Sequence, residues 1–295
     1  MSSIISRLRC AVLGAGLAGT DLLYKLNRSV HLDARWMIDI HPTAAGLAQA
    51  REFGLRTVAG TLADALPQLI EDRVRLVFDA SGGARHPEHA QQLEQAGIRV
   101  IDLTPAANGP LCMPAANLEQ VLRTAPRSIC LVGGGAQAVV PLVRAMTNIQ
   151  PLAYGEVAVT APATTCGPAC LGNVDEMTHH TARAMERVGG ARQGKAILLF
   201  SPGQPQPLRA SLRCLTEDLA EETALFTAVK AVVSRLQREL PGYRLARAPR
   251  FQARQVDLEV EIEGLGDSMP PYAANLDLLS LAALRCGEAL AGARS

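Results

Sequence analysis

Through roughly the first 130 residues, short apolar runs alternate with stretches in which apolar side chains recur every three to four positions. Arg9–Leu13, Ala34–Ile40, Arg75–Asp79, Arg99–Asp102 and Ser128–Val132 read as buried strands. Leu17–Leu26, Ala44–Phe53, Pro87–Gln95 and Asn117–Leu122 fall between them and read as helices. This alternation predicts a parallel sheet with right-handed crossovers, because parallel neighbours need a long connection that packs back onto the sheet. From about residue 152 the pattern changes. Ala153–Ala161, Ala196–Phe200, Leu208–Leu215 and Val256–Ile262 are longer strands, several of them alternating, which predicts an antiparallel or mixed sheet with one covered face. Glu217–Glu239 carries a long helical pattern, with Thr216 a candidate N-cap and Pro241-Gly242 a stop. A last helix, Ala273–Leu290, is expected to return to the first domain. The fold class is therefore α/β: a doubly wound parallel sheet over residues 1–131, an α+β domain over 132–272, and a C-terminal helix over 273–295.

Composition narrows the function classes. At 48% hydrophobic and 19% charged, the chain is too apolar to stay disordered. Lys+Arg 29 balance Asp+Glu 28 without basic clusters, which argues against nucleic acid as a partner. No apolar stretch approaches the ~18–20 residues of a membrane span. The opening MSSIISRLRC is a poor signal peptide. Seven cysteines are an odd number, scattered along the chain, and suit a reducing cytoplasm better than a disulfide framework. The expectation is a soluble cytoplasmic protein acting on a small-molecule substrate.

The first chemical motif follows the first strand. Gly14-Ala15-Gly16-Leu17-Ala18-Gly19 has the spacing of a dinucleotide-binding loop. There the first glycine makes the tight turn, the second admits a pyrophosphate, and the third lets helix and strand pack closely. The helix N-terminus then offers unpaired N–H groups to phosphate. Asp39, at the end of the second strand, is placed to accept hydrogen bonds from an adenosine ribose, which favours NAD over NADP. His41 lies close enough to blur that choice. Ser81-Gly82 follows the Arg75–Asp79 strand and either lines the cofactor crevice or makes an ordinary turn.

These residues, with blocks further on, resemble the acylating acetaldehyde dehydrogenases. The matching stretches are GAGLAGTDLL (14–23), VFDASGGA (77–84), IDLTPAANGPLCMPAANLE (101–119), GNVDEMT (172–178), VGGARQGKAILL (188–199) and PPYAANLDLLSLAAL (270–284). The resemblance implies a Rossmann domain joined to an α+β domain that forms a homodimer through its sheet, often beside an aldolase-like partner. It implies aldehyde oxidation with NAD and acyl transfer to coenzyme A through a cysteine thiolate. Matched on Gln137-Ala138 and Pro141 without a gap, the nucleophile's position is Gly134. Glycine has no side chain to add to a carbonyl. Cys130 and Cys112 read as structural. Cys166 and Cys170 lie in a block that faces the reacting centre in the family, where they are either relocated nucleophiles, filling of the site, or, lacking further ligands, an unconvincing metal pair. Asn173 and Asn275 match family residues, Asn275 resembling the one at the nicotinamide end of the cofactor. Asp175 is either a site residue or a helix-start carboxylate, and His179, beside His180, is either a proton donor or a solvated helix-face residue.

Three functions follow. The first is a NAD- or NADP-dependent oxidoreductase passing hydride directly to or from a small imine, amine or carbonyl, as in imine reduction. The second is a coenzyme A-dependent aldehyde dehydrogenase with its nucleophile moved to Cys166 or Cys170. The third is a non-catalytic, cofactor-binding partner subunit. The first is preferred, because family residues for the cofactor persist while the thiol does not.

Overall fold

The computed structural model describes residues 7–106 and 109–292. Two compact units divide the chain. The first contains the residues up to Pro110, Glu119–Leu131 and Ser280 onward; the second contains Leu111–Leu118 and Val132–Leu279.

In the first unit, strands and helices alternate as β1 (Leu8–Leu13), α1 (Leu17–Arg28), β2 (Leu32–Asp39), α2 (Ala45–Glu52), β3 (Arg56–Ala59), α3 (Leu62–Glu71), β4 (Leu76–Asp79), α4 (His86–Gln95), β5 (Arg99–Asp102), α5 (Pro114–Arg123) and β6 (Ser128–Cys130). The six strands are parallel in the order β3-β2-β1-β4-β5-β6. This is the doubly wound order, in which the winding reverses between β1 and β4 and leaves a crevice beyond their C-terminal ends. Ala11, Leu13, Ile38, Val77 and Val100 from the strands meet Leu62, Ala65, Leu69 and Leu93 from α3 and α4 in one apolar core. The unit β3–α3 had no counterpart in the sequence pattern. β3 is only four residues long and carries no fully buried side chain, so its apolar signal is weak. α3 is well specified locally: Thr61 and Asp64 cap it reciprocally.

The second unit continues with α6 (Gly134–Thr147), β7 (Leu152–Pro162), α7 (Pro168–Leu171), α8 (Val174–Arg187), β8 (Gly194–Ser201), β9 (Leu208–Thr216), α9 (Glu222–Gln237), β10 (Tyr243–Leu245), β11 (Arg250–Gln252), β12 (Gln255–Ile262) and α10 (Ala274–Gly292). Its sheet runs β10-β12-β9-β7-β8, with β11 paired to β12. β7 and β8 pair parallel and the other described pairs of this sheet antiparallel, so the sheet is mixed. Alternate residues of β9 and β12 are buried beneath the helices, among them Leu208, Ala210, Leu212, Val256, Leu258 and Val260. The opposite face is a lattice of charge pairs: Arg213 to Asp257 at 2.9 Å, Arg209 to Glu261 at 2.6 Å and Lys195 to Glu156 at 2.9 Å.

Three expectations change. Thr216 does not cap α9: it ends β9, its hydroxyl bonded to the carbonyls of Asp218 and Arg254, and the helix begins at Glu222. Leu111–Leu118 belongs to the second unit, because the Gln137 amide donates to the Cys112 and Val132 carbonyls at 3.1 and 3.2 Å and Arg235 donates to the Ala115 carbonyl. The C-terminal helix divides between the units at Ser280 rather than returning whole. At its start Asp277 accepts from the Leu265 N–H at 3.1 Å, whereas Ser280 and Glu288 bond Asp21 and Ser29 of the first unit. No helix of the described residues is long and apolar enough to cross a membrane.

Candidate functional site

The glycine loop is built as its spacing requires. Gly14 has φ +101°, and a Cβ there would lie 2.5 Å from the Ala80 carbonyl oxygen and 2.7 Å from the Ser81 nitrogen. The loop after β1 therefore rests directly on the loop after β4, at the crevice. A Cβ on Gly16 would meet nothing within 4 Å. That open space is what a pyrophosphate needs at this point. Gly19 packs against the Gly14 carbonyl too closely for any side chain. The first-turn amides of Leu17, Ala18 and Gly19 have no intrahelical acceptor, and they form the positive end of α1. Asp39 closes β2 beside this loop, its carboxylate accepting from the Ala15 N–H at 2.6 Å and the His41 N–H at 2.8 Å. The residues present thus fit a dinucleotide.

Behind Ser81 lies a buried polar cluster that sequence reasoning missed. Asp79 and Asp102 end the paired strands β4 and β5 in direct register. Both are buried, as are His86 and His89 on α4. The Asp79 carboxylate meets His86 Nδ1 at 2.9 Å and His89 Nδ1 at 3.0 Å, and accepts from the Ser81 hydroxyl at 2.6 Å. His86 Nε2 faces Asp102 at 3.3 Å, within ion-pair range but not aligned as a hydrogen bond. Burial would raise the Asp79 carboxyl, but hydrogen bonds from His86, His89 and Ser81 outweigh it and hold the group well below the usual range. Burial pushes Asp102 up to about 6, partly countered by His86 and Thr104. Burial disfavours the His86 cation, yet the Asp79 hydrogen bond and the two carboxylate charges raise it overall. The available signal was two strand-final aspartates with a His-x-x-His spacing on one helical face between them in the chain.

In the second unit, Gly134 opens α6 after Gly133 as N-cap. A Cβ on Gly134 would overlap the Asn275 carbonyl oxygen and lie 2.7 Å from its carbon and 2.8 Å from Cα. Main chain from the start of α10 fills the place a side chain would take. Asn275 also keeps its Oδ1 buried with no hydrogen-bond partner, an acceptor available to an N–H donor. Asn173 is the N-cap residue of α8. Asp175 and His179 stand on the exposed side of that helix. Met177 is the α8 side chain beside Gly133: its methyl carbon would lie 3.4 Å from a Cβ placed there. The rings of His179 and His180 are neighbours, with centroids 6.1 Å apart.

The cysteines differ from expectation. Cys166 and Cys170 form a disulfide across α7. One disulfide therefore stands where the scattered cysteines suggested a reducing environment, and neither Cys166 nor Cys170 is a free nucleophile in this form. The remaining five, Cys10, Cys112, Cys130, Cys214 and Cys286, are all buried. Burial pushes the Cys214 thiol up to about 12 and raises Cys10 as well, which makes both poor thiolates.

Residues 134–270 match the family model for the prokaryotic acetaldehyde dehydrogenase dimerisation domain. The chain is 43% identical to an acetaldehyde dehydrogenase of Cupriavidus taiwanensis, over 98% of this chain and 96% of that one. It is 42% identical to an acetaldehyde dehydrogenase of Stutzerimonas stutzeri, over 97% and 93%. Among solved structures, aspartate semialdehyde dehydrogenase II of Vibrio cholerae shares the fold with a TM-score of 0.68 at 13% identity, covering 98% of this chain and 99% of that one. Agreement at this level over nearly the whole length makes the chain a member of the acetaldehyde dehydrogenase family.

Proposed function

We propose that the protein is a nicotinamide-dinucleotide-dependent oxidoreductase that moves hydride directly to or from a small carbonyl, imine or amine, without an acyl-enzyme and without coenzyme A. The observation that carries this reading is the packing at Gly134, where the Asn275 main chain occupies the space a thiol would need. The Cys166–Cys170 disulfide and the burial of every other cysteine point the same way. Bound at the crevice, the dinucleotide supplies or accepts the hydride. Gly14, Gly16, the amides of Leu17, Ala18 and Gly19, Asp39, Ser81 and Gly82 would hold it, with NAD preferred because of Asp39. Asn275 Oδ1 and Asn173 complete the proposed set. A carbonyl or imine that receives hydride also needs a proton, and the exposed His179 can exchange one with water, with Asp175 on the same helix face. Assembly as a homodimer belongs to the same reading, supported by the dimerisation-domain match and the open, charge-paired sheet face.

A second reading is favoured by the relatives' name: acetaldehyde oxidation, with Cys166 or Cys170 reduced and acting as nucleophile. The two readings separate in one assay. Reduced-nicotinamide absorbance is followed with acetaldehyde or propanal and each dinucleotide, with and without coenzyme A, and then with keto acids plus ammonia. Turnover that ignores coenzyme A supports the proposal. A strict requirement for coenzyme A overturns it.

A further inference from the structure

We infer that His86 is a positioning residue: held between the carboxylates of Asp79 and Asp102, it fixes the loop after β4 against the glycine loop and ties dinucleotide affinity to its own protonation. The inference rests on the cofactor reading above but stands on its own geometry. Asp79 and Asp102 sit side by side at the ends of hydrogen-bonded strands, out of contact with water. Two ionised carboxylates there repel unless a cation lies between them. His86 occupies that position, 2.9 Å from Asp79 and 3.3 Å from Asp102. The other groups facing the cluster are His89, 3.0 Å from Asp79, the Ser81 hydroxyl, 2.6 Å from Asp79, and Thr104, whose N–H donates to Asp102 at 2.7 Å.

The cluster reaches the crevice by a short path. Asp79 accepts from both the N–H and the hydroxyl of Ser81, at 3.1 and 2.6 Å. Ala80 donates its N–H to the Leu13 carbonyl at 2.7 Å, one residue before Gly14. On the other side, the N–H groups of Arg85 and His86 bond the carbonyls of Gly82 and Gly83. A change in charge at His86 is therefore felt at once in the Ser81–Gly83 turn. With His86 protonated, one cation offsets two carboxylates; with it neutral, both negative charges face the site where an anionic pyrophosphate would settle. Dinucleotide binding should weaken as His86 loses its proton, by up to about tenfold per pH unit for one linked proton. That loss falls above the ordinary histidine range, since the flanking carboxylates raise His86.

Two measurements test this. In the ligand-free protein, carbon-13 labelling of the histidine rings gives the midpoint of His86, and nitrogen-15 glycine reports the Gly82 and Gly83 amides. The amides should titrate with the His86 midpoint. In Asp102→Asn, which keeps His86 but removes one carboxylate, both midpoints should move together to lower pH. Separately, the Kd for NADH is measured by fluorescence across the same range. It should rise with pH in the wild type and lose that dependence in His86→Gln. A His86 ring that titrates while Gly82 and Gly83 stay still would overturn the inference, as would an unchanged pH slope in a folded His86→Gln. Failure of any dinucleotide to bind at any pH would overturn the cofactor reading, and the amide titration would still decide the role of His86.

Discussion

The backbone packing at Gly134 leaves no room for a side chain, and a single substitution tests it. In Gly134→Ala the new methyl would overlap the Asn275 carbonyl oxygen, with the carbonyl carbon at 2.7 Å. Both partners are main chain at helix starts, so neither can swing aside as a side-chain end could. Overpacking of this kind costs typically about 1–3 kcal/mol and sometimes more. The upper end is expected here, because α6 or α10 must shift as a whole. At roughly 2–4 °C per kcal/mol for a chain of this size, Tm should fall by about 6–12 °C. Gly133→Ala is the matched control, since its Cβ would meet only the flexible Met177 methyl at 3.4 Å, and its Tm should stay near wild type. Scanning calorimetry of the three proteins gives the comparison. Gly134→Cys should suffer as Gly134→Ala does and should not become a coenzyme A-dependent aldehyde dehydrogenase. A Gly134→Cys protein with wild-type Tm, a thiol that alkylates readily and acyl transfer to coenzyme A would refute the packing argument and the function built on it.

Other outcomes follow from the same geometry. Gly16→Ala meets no neighbour within 4 Å and should keep its Tm while weakening dinucleotide binding by about tenfold or more, read by NADH fluorescence. Alkylation and mass spectrometry of the native, unreduced protein should leave Cys166 and Cys170 unlabelled, and the double variant Cys166→Ser/Cys170→Ser should retain turnover; loss of activity would favour a relocated nucleophile. The disulfide closes a short loop, so its removal should cost no more than about 2 kcal/mol. In denaturant titrations, Asp102, raised to about 6 in the fold, should make stability fall as pH climbs from 3.8 to about 6, by about 3 kcal/mol for a shift of that size. His86, also raised, adds to the decline as pH climbs past the ordinary histidine value, until it has lost its proton. Asp79, lowered in the fold, should cause the opposite loss below pH 3.8, where unfolded carboxyls take up protons. A flat profile across these windows would show that the cluster is not the buried charge group described.

How much was legible in the residues differs between the units. Strands rich in Val, Ile and Leu and separated by helical periods lead to the parallel sheet, because both its faces are buried and its strands must be apolar throughout. The glycine loop was readable for a similar reason: each glycine answers a local backbone demand, and Gly14 and Gly16 meet theirs. β3 and α6 escaped. The first is too short and exposed to leave a pattern, and the second is buried on nearly every face, so it carries no polar stripe to betray its period.

The chain's own pattern thus sufficed for the α/β class and the dinucleotide loop, because each depends on neighbours within a few residues. Folding alone settled the rest. Gly134 and Asn275 are 141 residues apart in the chain, and only their packing shows that a side chain at position 134 would have no room. Cys166 and Cys170 looked like two thiols until α7 brought them within bonding distance. Asp79, His86 and Asp102 come from two strands and a helix, and their meaning lies in the close approach of charges that sequence spacing does not report. Local patterns set secondary structure through backbone and burial preferences, whereas charge and volume act through space.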